Sequence, residues 1–114
     1  MFCGILRRRT TAALRGPRKR QNIQIGDRLA PEIALLPIGA YHPESFRHVH
    51  MGPDEAVKAF KDLRAKVLVP MHFGTFKLSF ESLEEPPRWL REIVARENLT
   101  KKLHVLEEGA PEVF

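Results

Sequence analysis

Cysteine is nearly absent from this chain: Cys3 is the one thiol in 114 residues, which excludes an internal disulfide. That usage suits a reducing compartment, and the expectation is a cytoplasmic protein. Long apolar runs are missing as well. None approaches the ~20 residues of a membrane span, so no transmembrane segment is expected. Acids are almost missing from the first 31 positions, where Asp27 stands against Arg7, Arg8, Arg9, Arg15, Arg18, Lys19, Arg20 and Arg28. The rest of the chain reverses the balance, with eleven Lys/Arg against thirteen acids, so the net charge of +5 is carried by the head. Aromatic residues do not interleave these basic ones beyond Phe2. Without stacking platforms, a nucleic-acid role is disfavoured.

The length supports one small domain, which buries about 65% of its unfolded surface. Residues 1–24 form a basic segment expected to be disordered or foreign to the remainder. Four readings fit its Arg-, Pro- and Gly-containing composition. It is an out-of-frame product of a GC-rich gene, a disordered arm, a mitochondrial-type address signal, or a contact for nucleic acid or another anionic surface.

What is present is α/β alternation. Two apolar runs, Ile33–Ile38 and Val67–Met71, flank a segment with a helix signature. Gly52 suits the N-cap, Pro53 the first helical position, and Asp54 and Glu55 the positive end of the helix dipole. Ala56, Val57, Phe60 and Leu63 recur at helical spacing, predicting a helix over Pro53–Ala65. Strand, helix, strand predicts neighbouring parallel strands with both following loops on one sheet edge. His42 and His72, which follow the two runs, are therefore expected to be neighbours. A second helix is predicted from Pro86 to Asn98 and a short strand over Leu103–Leu106.

Four pieces of sequence occur in a specific order: Leu35-Leu36-Pro37-Ile38-Gly39-Ala40-Tyr41, His50-Met51-Gly52-Pro53-Asp54-Glu55-Ala56, Met71-His72-Phe73-Gly74-Thr75-Phe76 and Glu84-Glu85-Pro86-Pro87. Together they resemble the carboxyl-terminal part of a metallo-β-lactamase-fold hydrolase. The branch is similar to N-acyl-phosphatidylethanolamine-hydrolysing phospholipase D and its bacterial relatives. The resemblance runs from about Ile25 to Leu106, and residues 25–114 are expected to be a partial domain of that type. It implies the C-terminal half of an αβ/βα sandwich, namely a βαβ unit plus a further helix and strand, with a two-zinc site between the sheets. It implies that His72 is a metal ligand, and that His50 and Tyr41 lie at the catalytic centre. There His50 would contact substrate or move a proton; Tyr41 would either donate to a developing oxyanion or simply pack with its hydroxyl in water. Thr75 would fix the His72 ring.

The departures are equally specific. The family's His-x-His-x-Asp-His motif is absent, and Ile5 stands where its bridging aspartate is expected. His42 falls where the branch is typically acidic, so it inherits no role. His48 could join His50 on one ion if the segment were extended, although a solvated loop explains it as well. His104 is expected to be structural. The function expected is thus a truncated, zinc-dependent hydrolase of an ester, phosphodiester or lactone, phospholipase D-like and inactive alone. Its unpartnered layer would need a homo-oligomer or a complementing half. The alternative is a non-catalytic interaction module with a basic arm.

Overall fold

The computed structural model describes residues 2–6, 9–13, 19–74, 77 and 79–112. Two strands, β1 (Phe2–Leu6) and β2 (Arg9–Ala13), pair antiparallel. Helix α1 (Lys19–Leu29) leads to β3 (Ile33–Pro37), then α2 (Pro53–Asp62), β4 (Val67–Met71) and α3 (Glu85–Arg96). The sheet order is β1-β2-β3-β4, with β2, β3 and β4 parallel.

The crossover forms as its sequence dictates. Ile33 pairs with Val67 and Pro37 with Met71, so the two expected strands lie side by side in full register. Between them, α2 begins at Gly52 with Pro53 in its first turn. It ends at Asp62 rather than Ala65, because Arg64 adopts a left-handed φ of 54° and turns the chain out. Ala34 and Leu36 of β3, and Ile38 just beyond it, join Leu68 of β4 on the face covered by the helices. Val57 and Phe60 of α2 and Leu90, Ile93 and Val94 of α3 close that core. Each such buried aliphatic or aromatic side chain contributes about 1.5–3 kcal/mol over its exposed state.

The boundary expected between residues 24 and 25 falls inside α1. Ile25 enters the core, and Gly26 meets the end of α2 so closely that an added methyl would sit 2.2 Å from the Asp62 carbonyl oxygen. A further strand contact comes from backbone pairing: Thr11 of β2 faces Ile33 of β3. Apolar counting of residues 5–24 does not register such a ladder. Residues 7, 8 and 14–18 lie outside the described residues, as does Thr75.

The strand expected over Leu103–Leu106 is reduced to one parallel bridge, Leu103 to Leu68, after a 3-10 turn at Thr100–Lys102. The His104 N–H donates to the Leu68 carbonyl at 2.9 Å, and its ring Nδ1 lies 3.2 Å from Glu112. These are structural contacts at the margin of the sheet. No helix among the described residues is long and apolar enough to cross a membrane.

Candidate active site

Parallel pairing brings the ends of β3 and β4 together. The Ile38 N–H donates to the Met71 carbonyl at 3.1 Å, extending the pairing one residue past β3. Gly39 then passes so near β4 that a methyl on it would lie 2.3 Å from the His72 carbonyl oxygen. Directly beyond, Ala40 and His72 both take left-handed backbone conformations, with φ of 63° and 61°. Such conformations are costly for residues with a Cβ and concentrate at functional sites. Both chains swing outward around a cleft of about 290 Å³. His72, Phe73, Lys77, Glu81 and Leu83 are among the residues that border it.

His72 is exposed at the cleft wall. Its ring stacks on that of His50, with centroids 5.3 Å apart and planes inclined by 12°. His50 reaches it from the loop after a short 3-10 helix, Glu44–His48, where the His50 N–H donates to the Phe46 carbonyl at 2.9 Å. Burial, then the neighbouring His72, pushes the His50 pKa below its ordinary value. A neutral imidazole results at pH 7, able to accept a proton or bind a cation. The histidine juxtaposed with His72 is thus His50. His42 turns instead to Glu85, with its Nε2 3.5 Å from the carboxylate. His48 ends the 3-10 turn and points to solvent; the turn breaks the extended alternation that a shared ion with His50 required.

Tyr41 is wholly buried. Its hydroxyl donates to Glu85 at 2.6 Å. Burial, then the Glu85 hydrogen bond and charge, drives the phenol pKa far upward. The ring lies edge-on to Trp89, 5.4 Å away. The oxyanion-donor role expected for Tyr41 therefore concerns a hydroxyl already given to a carboxylate.

Two further carboxylates matter that motif reading did not single out as site residues. Glu81 is buried, and its two oxygens accept the backbone N–H groups of Tyr41 at 3.1 Å and His42 at 3.2 Å. Burial alone would raise its pKa, but the Ser79 hydroxyl and the backbone N–H groups of Glu81, Tyr41 and His42 outweigh that and lower it. Glu85 lies inside the Glu-Glu-Pro-Pro piece, whose presence was the signal for it. Glu81 gave no local signal, since the Tyr41 and His42 N–H groups that it holds are about 40 positions away in the chain.

The Beta-lactamase superfamily domain matches residues 19–73, from the first turn of α1 to the residue beyond His72. Over residues 19–73 the chain is thus similar to the β-lactamase superfamily. One relative is the N-acyl-phosphatidylethanolamine-hydrolyzing phospholipase D 1 of Caenorhabditis elegans. It is 41% identical over 80 residues, covering 67% of this chain and 22% of the relative. A UPF0173 metal-dependent hydrolase of Methanopyrus kandleri is 36% identical over 85 residues, covering 75% of this chain and 32% of the relative. Among solved structures, a metallo hydrolase of Ignicoccus hospitalis superposes with a TM-score of 0.58 at 34% identity, covering 79% of this chain and 34% of the other. The chain spans about a fifth to a third of the length of these relatives. The expected α/β fold and family resemblance are both borne out.

The Methanopyrus relative is a metal-dependent hydrolase and the Ignicoccus protein a metallo hydrolase. Catalytic zinc sites take three protein ligands and leave one position open. Among the described residues, no group of three or more His, Cys, Asp or Glu side chains could hold a metal ion. His72 and His50 offer two imidazoles at most. The described residues alone therefore do not make up a metal centre.

Proposed function

We propose that the chain is a portion of a zinc-dependent, metallo-β-lactamase-fold hydrolase acting on an ester, phosphodiester or lactone, and that it is inactive alone. The observation that supports this most is the stack of His50, from the loop after the 3-10 helix, on His72 at the end of β4, beside a cleft. In open α/β sheets, ligands bind in the crevice beyond the carboxyl ends of the strands. His72 is the metal-ligating side chain contributed by this portion. His50, held neutral, is the proton-transfer or substrate-contacting group. Tyr41 acts through Glu85, tying the segment after β3 to the first turn of α3 and fixing the wall rather than touching substrate. Phe73 and Leu83 give the cleft an apolar side, and Lys77 supplies a cation at its border. Such a border fits a phospholipase D-like, amphiphilic substrate.

The test has two arms. The 114-residue chain, supplied with zinc, is expected to hydrolyse neither a phosphodiester nor an ester. A version extended by the His-x-His-x-Asp-His half, with aspartate in place of Ile5, is expected to turn over, and His72→Ala is expected to lower both its zinc content and its rate. Loss of partners that merely orient ligands costs about 10–100-fold, so loss of a ligand exceeds that. Vigorous zinc-dependent turnover by the chain alone, or full activity in the extended His72→Ala enzyme, overturns the proposal.

A further inference from the structure

The 3-10 turn that presents His50 has little to hold it down. None of its residues is buried, Phe46 is 37% exposed, and the following Val49 is 65% exposed. No side chain caps it. Of its five residues only Arg47 is half-buried, the other four being exposed.

Arg47 makes contacts out of proportion to that turn. Its Nη1 lies 2.7 Å from Glu55 Oε1 and 3.3 Å from Asp54 Oδ2, both in the first turn of α2. Its guanidinium carbon lies 5.6 Å from the Tyr41 ring centroid and 6.0 Å from that of Trp89, within cation–π range. A methyl on Gly52 would come within 3.1 Å of Arg47 Nη2, so the space between turn and helix is already full. One planar side chain thus joins the His50 turn to the start of α2, the end of β3 and the face of α3. Arginine suits this task and lysine does not, because a fork of donors can serve two carboxylates while its plane lies on aromatic rings.

We infer that Arg47 is a positioning residue that holds His50 in register with His72. This rests on the reading of that histidine pair as the working site. Arg47 is not among the residues that border the cleft, so it acts through the turn. A displacement of about 1 Å at such a pair is enough to spoil orientation-dependent chemistry.

The experiment is NMR on the 114-residue chain, without metal or substrate. Inter-ring contacts between His50 and His72 are read as nuclear Overhauser cross-peaks, and amide exchange in α2 reports whether the scaffold persists. Arg47→Met is expected to abolish the His50–His72 cross-peaks while α2 and the Tyr41–Trp89 contact survive. Arg47→Lys is expected to restore them only in part. A variant carrying both Asp54→Asn and Glu55→Gln, which retains Arg47 and removes its anchors, is expected to weaken the same cross-peaks, and decides the matter if Arg47→Met does not fold. Unaltered cross-peaks in folded Arg47→Met, or in the double variant where Arg47→Met fails to fold, overturn the positioning role. That result leaves the hydrolase reading untouched. Absence of metal-dependent hydrolysis in the extended enzyme refutes the hydrolase reading while leaving the tether intact.

Discussion

At the end of β3 the chain is sealed: Tyr41 is fully buried, its hydroxyl is given to Glu85, and its N–H and that of His42 are both accepted by Glu81. At the end of β4, one strand over, His72 stands exposed with the His50 ring stacked on it. The two ends share a sheet edge and the same left-handed exit, yet one is satisfied on every side and the other is open. The contrast divides the labour. A group that must exchange ligands or protons cannot also be tied by strong internal bonds, so the neighbouring strand end supplies the rigidity that the open one forgoes.

Substitutions can break that contrast, and the largest effect is expected where the ends touch. Gly39→Ala puts a methyl 2.3 Å from the His72 carbonyl oxygen. Backbone must move, so the cost is expected to reach or exceed the ~3 kcal/mol upper range of overpacking. Urea unfolding midpoints measure it, and a loss below about 1 kcal/mol would mean that the ends are not in contact.

Glu81→Ala comes next. It strands two backbone N–H groups in and near the interior, at about 2–3 kcal/mol together. Its titration gives a second handle. The folded pKa of Glu81 is lowered, so its stabilising effect is present above the ordinary carboxylate range and is lost as pH falls through the depressed folded value. Glu81→Gln should flatten the acid limb of stability against pH; an unchanged limb would remove Glu81 from this role.

Tyr41→Phe sharpens the comparison more gently. It removes one hydrogen bond to a carboxylate that is one-third exposed and can regain water, for about 1–2 kcal/mol. Tyr41 is the chain's one tyrosine, so alkaline titration by ultraviolet absorbance is unambiguous. Its folded pKa is raised, so the stability it confers is whole below the ordinary tyrosine pKa and falls as pH rises above that value toward the folded one. Phenolate is therefore expected to emerge together with unfolding, and smooth ionisation of the native chain near pH 10 would contradict the burial.

The smallest effect is expected at the open end. His72→Ala removes an exposed ring and should change stability by no more than about 0.5 kcal/mol. A loss beyond 2 kcal/mol would show that His72 is a structural member of the wall.

Periodicity and capping made the crossover legible, because Ile33–Pro37, Pro53–Asp62 and Val67–Met71 each carry a local signal of their own. His50 and His72 were legible through their motifs. Their stacking was not, since it depends on how a five-residue 3-10 turn is held, and the extended reading of His48–His50 missed that turn. The contacts of Glu81 with the Tyr41 and His42 backbone, of Glu85 with the Tyr41 hydroxyl and of Arg47 with Trp89 span chain separations that no local pattern encodes. The paired backbone of β2 was hidden for a related reason. Its ladder to β3 is made by main-chain groups and leaves no trace in the side-chain composition of a basic segment.

The edge-on contact of Tyr41 with Trp89 has an optical consequence. These are the single tyrosine and the single tryptophan of the chain, with ring centroids 5.4 Å apart. At that separation, light absorbed by the phenol is handed to the indole almost completely, and the emission comes from one place. Trp89 also lies beneath the Arg47 guanidinium, 6.0 Å from it. The intrinsic fluorescence of this protein is thus a built-in lamp at the sealed strand end, reporting from one spot on whether the cleft wall is assembled.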